Sequence, residues 1–382
     1  MVEWKKLGEV CNDVIVPMRD RPKIFDGTIP WCRIEDIEGM YFNKSLSGLM
    51  VSEEIVKQMN LKVYPVGTVI CSCSATLGVC AINTQPLITN QTFIGLVCSD
   101  QINNRFLYYY MLTRKKELLS LSTTGTIPYV SREKFEKMTI PVPSHAEQTR
   151  IVGILDTFTS SIDNLKEQIA ERRKQYEHYR DQLLDLEGKE GKDIHCWGEF
   201  CEMEKGNGVQ KADFVDEGLG CIHYGQIYTH YGSYAYETNK FVSEETFAKA
   251  KKASKGDVIL TDTSENVEDI CKSVAWLGDD DIAVSNHALI IKHNQNPKFL
   301  SYSTQTNSFF LQKRKVVVGV KVSGIKPDDL AKIKIFLPPL SEQQRIVSIL
   351  DTFEASIQNL EAQLKQREKQ YEYYRNKLLT FE

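Results

Sequence analysis

Arg33, Asn90, Gln91 and Thr92 in the first half of the chain, and His223, Gln226, Asn286 and His287 in the second, are residue types that read base edges or grip phosphates. An arginine fork matches the two acceptors of guanine, and an Asn or Gln amide matches the donor and acceptor of adenine. Histidine and threonine add single hydrogen bonds to bases or phosphate oxygens. Asn and His also cap turns in ordinary loops, so each of these side chains has a structural alternative. Local cations stand in three groups: Arg19, Arg21 and Lys23; Lys249, Lys251, Lys252 and Lys255; Lys313, Arg314 and Lys315. The net charge of −4 excludes a broadly basic protein. A DNA-binding reading therefore rests on such groups, because phosphate neutralisation needs cations only where the duplex lies. For any one of these groups alone, a solvated face is the commoner reading.

Catalytic signatures are absent from the 382 residues. The chain has no Gly-x-x-x-x-Gly-Lys-Ser/Thr, His-Glu-x-x-His, Gly-x-Ser-x-Gly or strand-linked Gly-x-Gly-x-x-Gly motif. Gly206-Asn-Gly208 stands alone, and no Asn/Asp-Pro-Pro-Tyr/Phe tetrapeptide of the amino-methyltransferase kind occurs. Asp279-Asp-Asp281 reads as a solvated turn rather than an acid/base pair. His195, Cys196 and Cys201 could begin a zinc site, but no Cys-x-x-Cys half-site completes it. The ten cysteines, behind a mixed-charge N-terminus without the look of a signal peptide, point to reduced thiols of a cytoplasmic protein and to no disulfides. No apolar run approaches the ~20 residues that cross a bilayer. These features favour a protein that binds over one that catalyses.

Something must position the two sets of readers, and the sequence supplies it twice. Glu147–Glu187 returns as Glu342–Glu382, with 25 of 41 positions identical. In the first copy Ile151, Leu155, Phe158, Ile162, Leu165, Ile169, Arg172, Tyr176, Tyr179, Leu183 and Leu186 alternate steps of four and three. Ile346, Leu350, Phe353, Ile357, Leu360, Leu364, Arg367, Tyr371, Tyr374, Leu378 and Phe381 repeat that heptad seam. The spacing predicts two coiled-coil helices of roughly 60 Å each. A parallel, in-register pair would set Arg172 against Arg367 at a desolvated position. Antiparallel pairing instead puts Arg172 near Leu360 and Arg367 near Leu165, and it predicts globular segments at opposite ends of one rod. Ser144-His-Ala-Glu147 and Ser341-Glu-Gln-Gln344 both fit a capping box, at non-equivalent positions. Gly188-Lys-Glu-Gly191 ends the first helix.

Punctuation also matches outside the helices: Gly8-Glu-Val-Cys11 with Gly198-Glu-Phe-Cys201, Gly67-Thr-Val-Ile70 with Gly256-Asp-Val-Ile259, and Phe106-Leu107 with Phe299-Leu300. β-Rich runs at 67–72, 93–98, 258–261 and 288–292, with helical stretches at 104–121 and 244–253, predict mixed α+β domains. The expected architecture is α+β: two pseudo-repeated mixed α/β globular domains separated by two long antiparallel coiled-coil helices. Its boundaries are 1–143, 144–187, 188–338 and 339–382.

With these residues laid out, the sequence resembles the specificity subunit of type I restriction-modification systems. Gly125-Thr-Ile-Pro-Tyr-Val-Ser131, Phe135, Ile140-Pro-Val-Pro143, Glu147-Gln148, Ile151 and Leu155 look like that family's junction between a target-recognition domain and its helix. Ile335-Phe-Leu-Pro-Pro-Leu340, Glu342-Gln343, Ile346 and Leu350 look like a second junction. Gly27-Thr-Ile-Pro-Trp-Cys-Arg33 with Glu35-Asp-Ile37, and more loosely Gly220-Cys-Ile-His-Tyr224 with Gln226-Ile227, are similar to the family's early turn and strand. Gly319-Val-Lys-Val322 and Ser144-His145 depart from the pattern. The resemblance implies a non-catalytic subunit whose two domains each read one half of an asymmetric, bipartite site in double-stranded DNA. It implies helices that set the gap and dock two methyltransferase subunits, with Glu147, Gln148, Ile151, Leu155, Arg172, Glu342, Gln343, Ile346, Leu350 and Arg367 as the docking and seam residues. S-adenosylmethionine, ATP and magnesium would belong to those methyltransferase and to restriction/translocase partners. The alternatives are a specificity subunit serving a fused restriction-methyltransferase, or a coiled-coil adaptor that grips proteins.

Overall fold

The computed structural model describes residues 2–189, 191, 193–319 and 323–381. The chain divides into two compact units, Met1–Lys166 with Ala362–Glu382, and Glu167–Glu361. Each unit thus combines one globular domain with the first part of one long helix and the last part of the other.

In the first unit a five-stranded sheet runs in the order Cys11–Ile15, Phe93–Cys98, Val69–Ser72, Cys80–Asn83 and Tyr41–Phe42. A smaller sheet orders Met50–Val51, Ile29–Cys32 and Ile88–Thr89, the last two pairing in parallel. The second unit repeats the large sheet as Cys201–Lys205, Ala288–His293, Val258–Thr261, Ser273–Trp276 and Tyr234–Ala235. Its second sheet again contains a parallel pair, Leu219–Ile222 with Ile282–Val284. The central strands Val69–Ser72 and Val258–Thr261 are buried on both faces, which is why they read as short continuous apolar runs.

The stretch expected as one helix over 104–121 is two helices, Asn104–Thr113 and Lys115–Leu121, meeting at Arg114. Asn103 caps the first by accepting from the backbone N–H groups of Arg105 and Phe106. The helix expected over 244–253 stops at Lys249, because Lys252–Ala253 joins the second sheet beside Ile282–Val284. Phe106, Leu107, Phe299 and Leu300 are all fully buried, each contributing on the order of 1.5–3 kcal/mol by burial.

The long helices span His145–Leu184 and Leu340–Leu378. Ser144 caps the first, its Oγ accepting from the Glu147 backbone N–H at 3.4 Å. Ser341 does not cap the second, which already begins at Leu340, where the Pro339 carbonyl accepts from Glu342 and Gln343. Proline cannot donate to a preceding turn, so it opens a helix at no hydrogen-bond cost. Within each unit the helices run antiparallel. In the first, Phe158 stacks on Tyr374 with ring centroids 5.3 Å apart; in the second, Tyr179 stacks on Phe353 at 5.3 Å. The seam arginines repeat as faithfully: Arg367 lies over Phe158 at 5.7 Å and Arg172 over Phe353 at 5.9 Å. Arg172 also shares a small surface recess with Leu360, the neighbour that antiparallel pairing gives it. The departure from the family pattern at 320–322 lies outside the described residues.

Candidate nucleic-acid interface

The parallel strand pair decides which candidate readers meet. In the first unit Trp31 pairs with Ile88 and Cys32 with Thr89, so Arg33 and Asn90 leave the pair side by side, with the Asn90 N–H donating to the Cys32 carbonyl at 3.3 Å. Asn90 Oδ1 accepts from the Thr92 hydroxyl at 2.6 Å, and Gln91 between them is exposed. Arg33 is half-buried, its backbone N–H capped by Asp36 at 2.7 Å and its guanidinium paired with Glu35 at 3.1 Å. Thr92 and Gln91 rest on the next hairpin: the Cys73 N–H donates to the Thr92 carbonyl at 2.8 Å. That hairpin also holds the Gly125–Ser131 segment, since the Ala75 N–H donates to the Pro128 carbonyl and the Val130 N–H to the Cys73 carbonyl. Arg19 is exposed, and Arg21 lies over Trp31 at 5.2 Å and Phe25 at 5.6 Å. Arg21 and Lys23 line a separate recess with Ile24, Ile55 and Met59.

The second unit builds the same corner with other side chains. Cys221 pairs with Ala283 and Ile222 with Val284, and the Ser285 N–H donates to the Ile222 carbonyl at 3.1 Å. His223, Tyr224, Asn286 and His287 then surround one recess together with Val209, Gln210 and Lys211. The Tyr224 ring lies 4.4 Å from His223 and 5.2 Å from His287. Burial, the nearby Lys211 and His287 hold the His223 imidazole below its ordinary pKa, so near neutrality it can accept as well as donate. Its Nδ1 accepts from the Gly225 N–H at 3.1 Å. His287 adopts φ +66° and lies 3.3 Å from the Thr263 hydroxyl.

Gln226 is turned inward. Its Oε1 accepts from the His223 N–H at 2.7 Å and its Nε2 donates to Asn239 Oδ1, so its amide serves the fold. Lys252 stands outside the recess, over Phe247 at 5.1 Å, donating to the Ala250 carbonyl. Its neighbours are ion-paired, Lys249 with Glu245, Lys251 with Glu204 and Lys255 with Asp279. Lys313 is buried at 4% exposure and donates to the carbonyls of Glu268 and Ile270. It belongs to neither a phosphate-binding group nor a solvated face.

Tyr224, Gln210 and Lys211 escaped the sequence reading, although Gly206-Asn-Gly208 was the signal for two of them. A Cβ at Gly206 would stand 2.3 Å from the Ser285 carbonyl oxygen, and Gly208 has φ +78°. The Gly208 N–H donates to Asn286 Oδ1 at 3.1 Å. This turn therefore lays Val209–Lys211 against the corner of His223, Asn286 and His287.

The junction glutamines face inward. Gln148 and Gln343 are fully buried. Gln148 accepts from the Asn103 N–H at 2.7 Å and donates to the carbonyls of Gln101 and Pro143. Gln343 accepts from the Asn296 N–H at 3.0 Å and donates to the Pro338 carbonyl and Gln295 Oε1. Ile151 and Leu155 lie in the first unit's core, and Ile346 and Leu350 in the second's. Glu147 and Glu342 are half-buried, each held by an arginine three residues on, Arg150 and Arg345. All ten cysteines are free, and among the described residues no group of His, Cys, Asp and Glu is placed to hold a metal. His195 pairs instead with Glu199, at 3.0 Å. No helix among the described residues is long and apolar enough to cross a membrane.

Comparison with known proteins agrees with this duplicated arrangement. The type I restriction modification DNA specificity domain matches residues 1–172 and again 190–368. A Haemophilus influenzae protein provisionally named as a type I restriction enzyme specificity subunit is 26% identical over 417 residues, covering 100% of this chain and 96% of that protein. The MjaIX specificity subunit of Methanocaldococcus jannaschii is 25% identical over 381 residues, covering 93% and 87%. The solved S subunit of the type I restriction-modification system of M. genitalium superposes with a TM-score of 0.56 at 14% identity, over 100% of this chain and 97% of that one. Two specificity-domain matches spanning most of the chain, on a frame that repeats itself, place this protein in the family of type I restriction-modification specificity subunits, whose role is to supply DNA sequence specificity.

Proposed function

We propose that each globular domain reads one half of an asymmetric, bipartite DNA site, and that the long helices set the gap and dock two methyltransferase subunits. The observation that carries this reading is the equivalence of the two corners. The same end of the same parallel strand pair carries Arg33, Asn90, Gln91 and Thr92 in one unit, and His223, Tyr224, Asn286 and His287 in the other. A conserved frame with unlike side chains is what two different half-sites need. Arg33 and Gln91 suit guanine and adenine edges; Asn286 suits adenine, and Tyr224 offers a flat apolar face.

Catalysis belongs to partners in this reading, and the chain acts in the cytoplasm. S-adenosylmethionine would sit on the methyltransferase subunits, and ATP with magnesium on the restriction/translocase subunits. Because the net charge is −4 and Lys249, Lys251 and Lys255 are already ion-paired, the chain alone binds DNA weakly, and partners supply most phosphate contacts.

Genome-wide mapping of methylated bases tests the division of labour. Exchanging residues 1–143 for those of a relative should rewrite one half of the methylated motif and leave the other unchanged. A change in both halves would refute the modular reading.

A further inference from the structure

One hairpin of the first unit carries an opposed pair of thiols with no counterpart in the second. Strands Val69–Ser72 and Cys80–Asn83 are antiparallel, with Cys71 opposite Cys80. The Ser72 N–H donates to the Val79 carbonyl at 2.8 Å, which makes the next pair along, Cys71 and Cys80, a non-hydrogen-bonded one. At such pairs Cα atoms approach to about 4.5 Å, within the span of roughly 4.4–6.8 Å that a disulfide bridges. The two Sγ atoms lie 2.9 Å apart. In the second unit the matching cross-strand pair is Leu260 and Ser273.

The position of this pair gives it a consequence. Between the two cysteines runs the loop whose Cys73 N–H holds the Thr92 carbonyl, whose Cys73 Sγ lies 3.8 Å from the Gln91 carbonyl, and whose Ala75 N–H holds Pro128. A bond between Cys71 and Cys80 would clamp the neck of the loop on which Gln91 and Thr92 rest.

We propose that Cys71 and Cys80 form a redox modification site that a peroxide converts to a disulfide, changing what the first domain reads. The second half of this statement rests on the reader corner proposed above. The chemistry balances: one thiol, as thiolate, attacks the peroxide O–O bond, giving a sulfenic acid and expelling hydroxide, which takes up the thiol proton. The second sulfur then displaces the sulfenic oxygen, which leaves as water with the remaining proton. Two electrons and two protons leave the thiols, and the peroxide is reduced to two waters. Both thiols are buried at 3% exposure or less, and burial holds the Cys71 thiol well above its usual pKa. The closed fold is therefore unreactive, and oxidation proceeds through local opening of the hairpin.

The test uses the full chain in complex with its methyltransferase partners, treated with hydrogen peroxide and mapped as non-reduced peptides. The expected product is a Cys71–Cys80 cross-linked peptide, two hydrogens lighter, reversed by dithiothreitol and absent in Cys80→Ser. Serine already occupies the equivalent Ser273 position, so this variant keeps a residue the fold accommodates. Oxidation should weaken discrimination at the first half-site about fivefold, leave the second half-site unchanged, and have no such effect on Cys80→Ser. A map showing Cys11–Cys98, the neighbouring opposed pair, linked while Cys71 and Cys80 stay reduced would overturn the site. A Cys71–Cys80 link with unchanged discrimination at both half-sites would overturn its effect on reading. The peptide map does not depend on DNA, so failure of the half-site assignment would show separately in the domain exchange.

Discussion

Two junctions between domain and helix, built from equivalent residues, differ in their electrostatics. In the first unit the Tyr109 hydroxyl donates to Asp156 at 2.8 Å and Arg105 pairs with the same carboxylate at 2.5 Å. In the second, the Tyr302 hydroxyl donates to Asp351 at 2.7 Å and Lys298 pairs with it at 2.9 Å. The repeat has preserved a tyrosine, an aspartate and a cation at matching places. One position has changed its charge: where the first unit has Thr159 beside Tyr109, the second has Glu354. Glu354 accepts from Ser233 at 2.7 Å and from Tyr302 at 3.0 Å, with Tyr176 at 3.5 Å. Burial raises its pKa, with Asp351 adding to the rise, while the Ser233 and Tyr302 hydrogen bonds and Lys298 oppose it. Duplication thus kept the geometry that fixes a domain to its helix and let the charge drift, leaving the second junction with a desolvated carboxylate that the first lacks.

The largest expected effect tests whether the two junctions remain equivalent at their glutamines. Gln148→Ala strands a backbone N–H and two backbone carbonyls in the interior; at roughly 1–3 kcal/mol per unsatisfied group with partial relaxation, the first unit should lose about 4 kcal/mol. Gln343→Ala strands one N–H and one carbonyl, since its third partner is the adaptable Gln295 side chain. About 3 kcal/mol is expected there. Urea unfolding followed by hydrogen exchange in each unit separates the two losses. Equal and small losses would mean that water replaces the amides and that the glutamines do not hold the junctions.

The Glu354 difference is smaller and has a pH signature. Because the folded carboxyl keeps its proton to higher pH than the unfolded one, its stabilising contribution is complete below the ordinary value of 4.5. That contribution is lost as pH rises through the raised value. Glu354→Gln keeps hydrogen-bonding atoms without the charge, so at pH 8 it should stabilise the second unit by about 1–2 kcal/mol. The gain over the parent should vanish toward pH 4. His293 contributes the opposite slope, since burial lowers its pKa to about 4 and the unfolded chain takes up its proton first as pH falls. It does so equally in parent and variant, so the difference between their melting curves isolates Glu354. Thr159→Glu should import the same penalty into the first unit. A Gln variant less stable than the parent at pH 8 would show that the carboxylate is better solvated than its burial implies.

The same contrast marks what was legible in the chain itself. The strands at Phe93–Cys98 and Val258–Thr261 follow from local periodicity and stand where it put them, as do the two long helices, although the first ends at Leu184, short of the expected seam position Leu186. The two candidate corners were legible only in part. Asn286, His287 and His223 do converge, but Gln226 is withdrawn into a turn and Lys313 into the interior. Those outcomes depend on which strand pairs with which, and on carbonyls contributed by residues some forty positions away. The helix expected across 244–253 failed for the same reason, its last residues being captured by a strand about thirty positions further on. Glu354 sits in a repeated helix that reads as ordinary solvent-facing sequence, and only the packed partners Ser233 and Tyr302 make it a partly buried charge.

The seam arginines should show the smallest difference, and they are where the repeat predicts none. Arg172 and Arg367 each lie over a phenylalanine of the opposing helix, within their own unit and at nearly the same distance. A half-buried cation over an aromatic face contributes about 0.5–1 kcal/mol. Arg172→Met and Arg367→Met keep the apolar stem against the ring and remove the charge, so each should cost no more than that amount, and the two costs should agree within about 0.3–0.5 kcal/mol, the limit of additivity for independent sites. Arg172 also borders a recess with Gln168, Glu171, Gln175 and Leu360. If Arg172→Met proves clearly more costly at low salt and the excess disappears in high salt, that acidic neighbour at Glu171 is the cause, and the duplication has drifted at the seam as well as at the junction.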